Sequence, residues 1–250
     1  MKKVFKIIGY FVLLVILLLG GAYFTLNKKL PVGVKGEKAE ALAQKMIQAV
    51  NKTAWDTTHI ISWTYRGDHN YLWDKQRNVA QVEWKTYKVL IDLNKVSGRV
   101  WDNLDEITDP HQAATRLKEA QKYFINDAFW LNPVVKIYDA GVERSLVTLE
   151  DGTEALLVSY TSGGLTPGDS YLWLVDANGL PTAWRLWVKI LPIGGIELTW
   201  EDWITLPTGA KIATMHKGKL TGSGIPVTHI KASTSLNAHG LKEDPFLSLY

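Results

Sequence analysis

Cysteine is absent from the 250 residues, so disulfides, cysteine-ligated zinc, iron–sulfur clusters, thiol catalysis and lipidation at a lipobox cysteine are all excluded. Export remains compatible with that composition. The six histidines, His59, His69, His111, His216, His229 and His239, contain no His-x-x-x-His pair and no carboxylate spacing of a metal cage. We therefore expect no metal and no cofactor. Gly222-Ser223-Gly224 departs from the nucleophile elbow and reads as a loop. The glycines from Ser162 to Gly168 read as a turn, because no helix follows to give a phosphate site its dipole. Acids are missing from the first thirty positions, which hold five of the 28 basic residues. Beyond them 23 basic face 25 acidic residues, about −2, which argues against nucleic acid as a partner.

What the chain does have is an apolar opening. Met-Lys-Lys-Val-Phe-Lys precedes an uncharged run over 7–26, about the length needed to cross a bilayer as a helix. Residues 1–30 are either a retained single-pass anchor or a signal peptide cleaved near Ala22, after Gly20-Gly21. Lysines flank both ends, so they do not set the orientation; a short basic head before a long domain looks like an export signal. The expected location is the cell envelope, with residues 31–250 in the periplasm, tethered or released.

The remainder reads as mainly β with a few helices: a single, strongly curved antiparallel sheet carrying a helical lid. The spacing predicts an amphipathic helix over 37–51 and another over 110–124, with Asp109 as cap and Pro110 in the first turn. Period-two runs between them and after them give about eleven strands, too many for a flat open sheet. Asn178-Gly179 marks a hairpin over 171–190 that holds three tryptophans. A two-residue turn sets Trp173 opposite Trp184 and Tyr171 opposite Leu186. One face then carries Tyr171, Trp173, Trp184, Leu186 and Val188, and the other mixes apolar residues with Arg185 and Lys189.

Eleven tryptophans spread over the strands admit two readings. They fill a core, as aromatics in strands usually do, or they line a concave apolar surface that suits an acyl chain. Trp63, Trp73, Trp84, Trp101 and the hairpin face would line that surface. Carboxylates at Asp102, Asp105, Glu106, Glu201 and Asp202 raise the alternative of an exported hydrolase with tryptophan platforms. Neighbours such as Glu201 and Asp202 point to opposite strand faces, however, which is wrong for acid and base on one bond. A third option is a scaffold that packs its tryptophans and binds a protein.

From the helix at 37–51 through Trp101 the chain resembles the LolA-type periplasmic lipoprotein carriers and the wider lipoprotein-sorting-like group. Leu72-Trp73-Asp74-Lys75-Gln76-Arg77-Asn78 is similar to that family's Leu-Trp-x-Lys-Arg-Pro stretch. Val89-Leu90-Ile91-Asp92, its turn and Trp101 resemble the family's apolar strand, Asp-Gly-Lys turn and Trp. In the second half only the succession of strands is similar. The resemblance implies an unclosed β-barrel with an apolar concave side, lidded by helices, that shields acyl chains of a lipid or lipoprotein without catalysis. It also implies an arginine that hydrogen-bonds the lid and gates the cavity. Arg77 is the nearest match, with one extra residue and no proline, which leaves Lys75 or no residue as alternatives. We expect a monomer whose partners are acyl chains and, through residues 7–26, the membrane.

Overall fold

The computed structural model describes residues 2–162 and 167–250. The turn expected at Ser162 to Gly168 lies largely outside them, as do the side chains at 2–5, 7, 9, 16, 19 and 22. Helix α1, Lys2–Leu26, takes up the apolar run. Tyr10, Phe11, Leu17, Leu18 and Phe24 stand exposed on it, uncovered by the folded domain. Among the described residues no helix is long and apolar enough to cross a membrane, so spanning by this segment remains a reading of its sequence.

Helix α2, Glu37–Ala49, buries Ala39, Ala43, Met46 and Ile47 on one stripe, and the short α3, Lys52–Asp56, buries Trp55. A meander follows: β1 Ile60–Tyr65, β2 His69–Asp74, β3 Val79–Trp84, β4 Tyr87–Asp92, β5 Ser97–Asp102 and β6 Asp105–Glu106. Helix α4, Pro110–Leu131, runs beyond the expected end at 124. Its start is as expected, with the Asp109 carboxylate accepting from the Gln112 N–H and Pro110 in the first turn. Then come β7 Val142–Thr148, β8 Glu154–Tyr160, β9 Ser170–Val175, β10 Pro181–Trp187, β11 Ile196–Thr199, β12 Glu201–Thr205, β13 Lys211–Lys217, β14 Gly224–Ser233 and the short α5 Leu236–His239.

The strands form two sheets, not the single one expected. One has nine strands in the order β12-β13-β14-β1-β2-β3-β4-β5-β6, and the other has five in the order β11-β10-β9-β8-β7. The division falls inside one continuous run, Ile196 to Thr205. Its first half pairs with β10, up to the Trp200 N–H donating to the Thr182 carbonyl, and its second half pairs with β13. Asp202, in the left-handed region at φ 53°, lies in that run. A sheet of this many twisted strands must curl or split, and here it bends around the junction so that both inner faces look onto the same core. No strand pairing joins β6 to β7 among the described residues, so the barrel is unclosed.

Alternation along the strands decides what faces inward. Ile61, Trp63 and Tyr65 point into the main core with Tyr71 and Trp73 of β2, while Leu72 points outward. On the convex side the C-terminal tail fills the outer face: Phe246 is fully buried against Val79 and Leu90, with Leu72 and Trp101 beside it. Arg77 fastens this tail. Its Nε donates to Asp74 Oδ2 at 2.8 Å and its two terminal nitrogens bind Asp244 at 2.5 and 2.9 Å. The guanidinium lies 5.4 Å from the Phe246 ring centre. Arg77 is thus engaged by the tail, where the resemblance placed a lid.

Removing a two-pronged, partly buried arginine–carboxylate pair costs about 1–2 kcal/mol and leaves Asp74 with only the backbone N–H of residue 77 as donor. We expect Arg77→Ala to lower the free energy of unfolding in urea by that amount and to expose residues 241–250 to carboxypeptidase. Hydrogen exchange of α4 should stay as in the wild type; faster exchange there would restore Arg77 as a gate.

Candidate functional site: the covered concave face

The hairpin of β9 and β10 pairs as the sequence predicts, Trp173 opposite Trp184 and Tyr171 opposite Leu186. Its turn is longer than two residues. The Asp176 N–H donates to the Leu180 carbonyl, and an irregularity between Pro181 and Ala183 restores the register. Gly179, at φ 85°, sits against α2, where a Cβ would meet Lys45 at 2.7 Å. Tyr171, Trp173, Trp184 and Leu186 all point into the core and are buried. Leu172 joins a smaller cluster on the other face with Val147, Ala155 and Leu157. Val188 lies just past the strand and packs on the main core at its edge.

Helix α4 answers what these residues face. Its Phe124 lies 5.2 Å from Trp73 and 6.2 Å from both Trp63 and Tyr71, and its Tyr123 lies 5.4 Å from Trp84. One turn later Phe129 reaches Tyr171 at 5.3 Å, and Trp130 reaches Trp184 at 5.0 Å. A single helix therefore covers the aromatic faces of both sheets. Trp63, Trp73, Trp84, Tyr171, Trp173, Trp184, Leu186 and Val188 are brought together around it. Trp101 is not. It sits one position past inward-facing Val100, so the strand period turns it outward under the tail, 5.0 Å from the Arg99 guanidinium.

The concave face is filled. The larger of the two best-formed concavities has about 260 Å³ and is lined by Asp68, Asn70, Glu83, Trp84, Lys85, Thr86, Tyr87, Lys88 and Asn103. It is a polar hollow at the strand ends, below the roughly 300–1,000 Å³ of typical ligand pockets. Beneath α4 the packing has a polar cost. The indole N–H groups of Trp63, Trp73, Trp173, Trp184 and Trp200 make no hydrogen bond, and an unpaired buried donor costs on the order of 1–3 kcal/mol.

One buried carboxylate ties the helix down. Asp127 of α4 accepts from the Tyr71 hydroxyl at 2.5 Å and from His69 Nδ1 at 2.7 Å, while Asn126 donates to its other oxygen at 2.7 Å. Burial, together with the Asp127 charge and hydrogen bond, pushes the Tyr71 hydroxyl far above its ordinary value, so it stays a donor. No sequence motif signals this cluster. His69 and Tyr71 share one strand face and Asp127 lies on the inner stripe of α4, but only the fold brings them together.

A second polar group stays neutral. His216 of β13 is fully buried, 4.1 Å from Trp200 and 5.4 Å from Trp130 in ring-centre distance. The backbones of Trp130 and Thr199 flank it, yet neither ring nitrogen makes a hydrogen bond of good geometry. Burial lowers its pKa to about 4. Lys75 contacts no lid: its ammonium donates to the Trp55 carbonyl and lies over the Trp55 ring, and burial lowers it to about 8.

The carboxylates of the hydrolase alternative are far apart in the sheet order. Asp102, Asp105 and Glu106 sit on β5 and β6 at one edge of the nine-stranded sheet, and Glu201 and Asp202 on β12 at the other. Glu106 pairs with Arg99 and Glu201 with Lys217, and these contacts hold both carboxyls below their ordinary range. Neither is placed to act as a general acid.

Similarity to known proteins is confined to structure. A DUF1329 family protein from Desulfovibrio piger is similar in structure, with a TM-score of 0.40 and 12% identity, over 79% of this chain and 94% of its own. No family model matches the chain, and no curated protein does.

His216 makes stability depend on pH. Its folded pKa lies below the unfolded value of 6.5, so the unfolded chain binds the proton more readily. Its contribution is complete above pH 6.5 and is lost as pH falls toward 4, by about 3 kcal/mol. Urea unfolding at stepped pH should show this loss in the wild type and a shallower one in His216→Phe. Equal slopes would mean that the imidazole is already protonated or solvated in the folded protein.

Proposed function

We propose that this protein is a non-enzymatic, LolA-like acyl-chain carrier or receiver of the cell envelope, held to the membrane by α1 and present here with its binding face closed by α4. The observation that carries this reading is the cover itself. One amphipathic helix lies across a continuous aromatic concavity made by both sheets, and five indole donors beneath it are left unpaired. A bound lipid would replace the apolar contacts of α4, and its ester carbonyls would offer acceptors to those donors. Burial of a methylene contributes about 0.8 kcal/mol, so a chain of roughly fourteen carbons supplies on the order of 10 kcal/mol before ordering costs. That is of the same order as the apolar burial a few large side chains of α4 would give up. The exposed apolar side chains of α1 and the run at 7–26 support retention at a membrane, with the domain in the periplasm.

One observation favours a second reading, a packed scaffold for a protein partner: the larger of the two best-formed concavities, about 260 Å³, is polar and lies at the strand ends. Quenching by brominated fatty acid separates the two. Every tryptophan lies between Trp55 and Trp203, outside α1, so quenching reports the domain alone. Trp187→Phe removes the tryptophan next to the tether. In that background we expect saturable quenching that becomes several-fold faster when Asp127→Asn weakens the hold on α4, and lipid that co-purifies in native mass spectrometry. No quenching in either protein, with α4 amides still protected, would leave only the scaffold.

A further inference from the structure

The tether between α1 and the domain does not hang free. The Lys28 N–H donates to the Gly194 carbonyl at 3.0 Å, the Gly194 N–H donates to Asn27 Oδ1 at 2.8 Å, and Trp187 Nε1 donates to the Lys28 carbonyl at 2.7 Å. Gly194 is needed for this approach, since a Cβ there would meet the Trp187 ring at 2.2 Å and the Lys28 carbonyl at 3.1 Å. The chain that leaves α1 is therefore seated on the loop after β10, Val188-Lys189-Ile190-Leu191-Pro192-Ile193-Gly194-Gly195.

That loop is apolar and exposed at its tip. Ile190 is 73% accessible and Leu191 is also exposed, with Lys189 beside them. The neighbouring turn after β13 joins it: Lys219 N–H donates to the Glu197 carbonyl, Leu198 bridges to Gly218, and Leu220 is 73% accessible. Strand order and register place both turns at one end of the sheets. Leu104, between β5 and β6, lies at the same end further round. At the opposite end the turns around Lys95, Asp151, Asn178 and Thr208 carry no exposed large apolar residue among the described ones, while the tail beside Arg77 leaves Leu247 and Tyr250 exposed.

We infer that the rim formed by the 188–195 loop and the 218–223 turn rests on the bilayer that holds α1, with Ile190, Leu191 and Leu220 at the acyl boundary and Lys28, Lys29 and Lys189 among anionic headgroups. Amphipathic surfaces with apolar tips and flanking lysines favour the interface in this way. This rests on the reading of α1 as an anchor. It adds that the domain is fixed in orientation against the membrane, since the tether is hydrogen-bonded into the rim. Orientation then follows from contacts at the exit of α1 and needs no partner protein.

The absence of cysteine makes the test direct. Single variants Val15→Cys, Ile190→Cys, Leu220→Cys and Lys95→Cys of the full chain are spin-labelled and placed in bilayers of phosphatidylcholine, alone and with phosphatidylglycerol. All four positions are exposed or outside the domain core, and circular dichroism and thermal midpoints check that folding is kept. Power saturation should show labels at 15, 190 and 220 protected from aqueous nickel chelate and open to oxygen. The label at 95 should be open to nickel, and protection at 190 should fall on Lys28→Glu/Lys29→Glu/Lys189→Glu only where phosphatidylglycerol is present. A protected label at 15 with labels at 190 and 220 fully open to nickel would overturn this inference and leave the anchor standing. An open label at 15 would overturn the anchor, and this inference with it.

Discussion

An unclosed antiparallel sheet has an inner face that nothing in its own hydrogen bonding covers, and everything else in this structure follows from how that face is kept dry. Helix α4 does it for both sheets at once: Phe124 and Tyr123 seal the strands of the first half, and Phe129 and Trp130 seal the hairpin of the second. Helix α2 completes the cover over β7 and β8, held by Arg144, whose Nε lies 3.0 Å from both Glu40 oxygens while Nη1 donates to the Ile137 carbonyl at 2.7 Å. Dispersion among so many rings is individually small and collectively large. The two sheets need not close on each other because the helix holds them together.

The same cover brings a polar mismatch. Indole rings contribute large apolar area, but each carries a donor, and only two of the tryptophans near the hairpin place it well: Trp187 on Lys28 and Trp203 on Pro181. The donors of Trp63, Trp73, Trp173, Trp184 and Trp200, and both nitrogens of His216, make no hydrogen bond of good geometry. A core selected only for stability would satisfy or remove these groups, since replacing them with apolar side chains of similar shape costs little. Their concentration on the face under α4, and not in the convex clusters, distinguishes that face from ordinary interior.

Local signals made the elements legible and left the assembly obscure. Asp109 and Pro110 marked the start of α4, and the alternation from Ile61 to Trp101 marked the meander. The Asn178-Gly179 pair marked the hairpin, and its register came out as expected only because the irregularity between Pro181 and Ala183 offsets the longer turn. Each of those is a matter of a few neighbouring residues. The split into two sheets was hidden because it depends on a change of partner at Trp200 within one unbroken β pattern. Trp101 was misplaced because aromatic content does not tell inside from outside, whereas its parity with Val100 does. Arg77 looked like a gate because its motif is local, and the Asp244 that claims it lies 167 positions away.

The two proposed readings meet in the placement of α4. Its first turns follow β6 at the same end of the sheets as the loop that seats Lys28, and they are the least buried part of the helix, with Leu117 the first buried residue. Arg116, stacked 4.4 Å over Tyr87, is the main contact there, beside a hollow of about 150 Å³ lined by Tyr87, Asp102, Ile107 and His111. The later turns carry Asp127, Phe129 and Trp130 and end against β13 through Asn132. The Asp127 clamp also lies toward the rim end, since His69 opens β2 beside the turn after Tyr65, so that end carries both the loosest turns of α4 and its tightest polar contact.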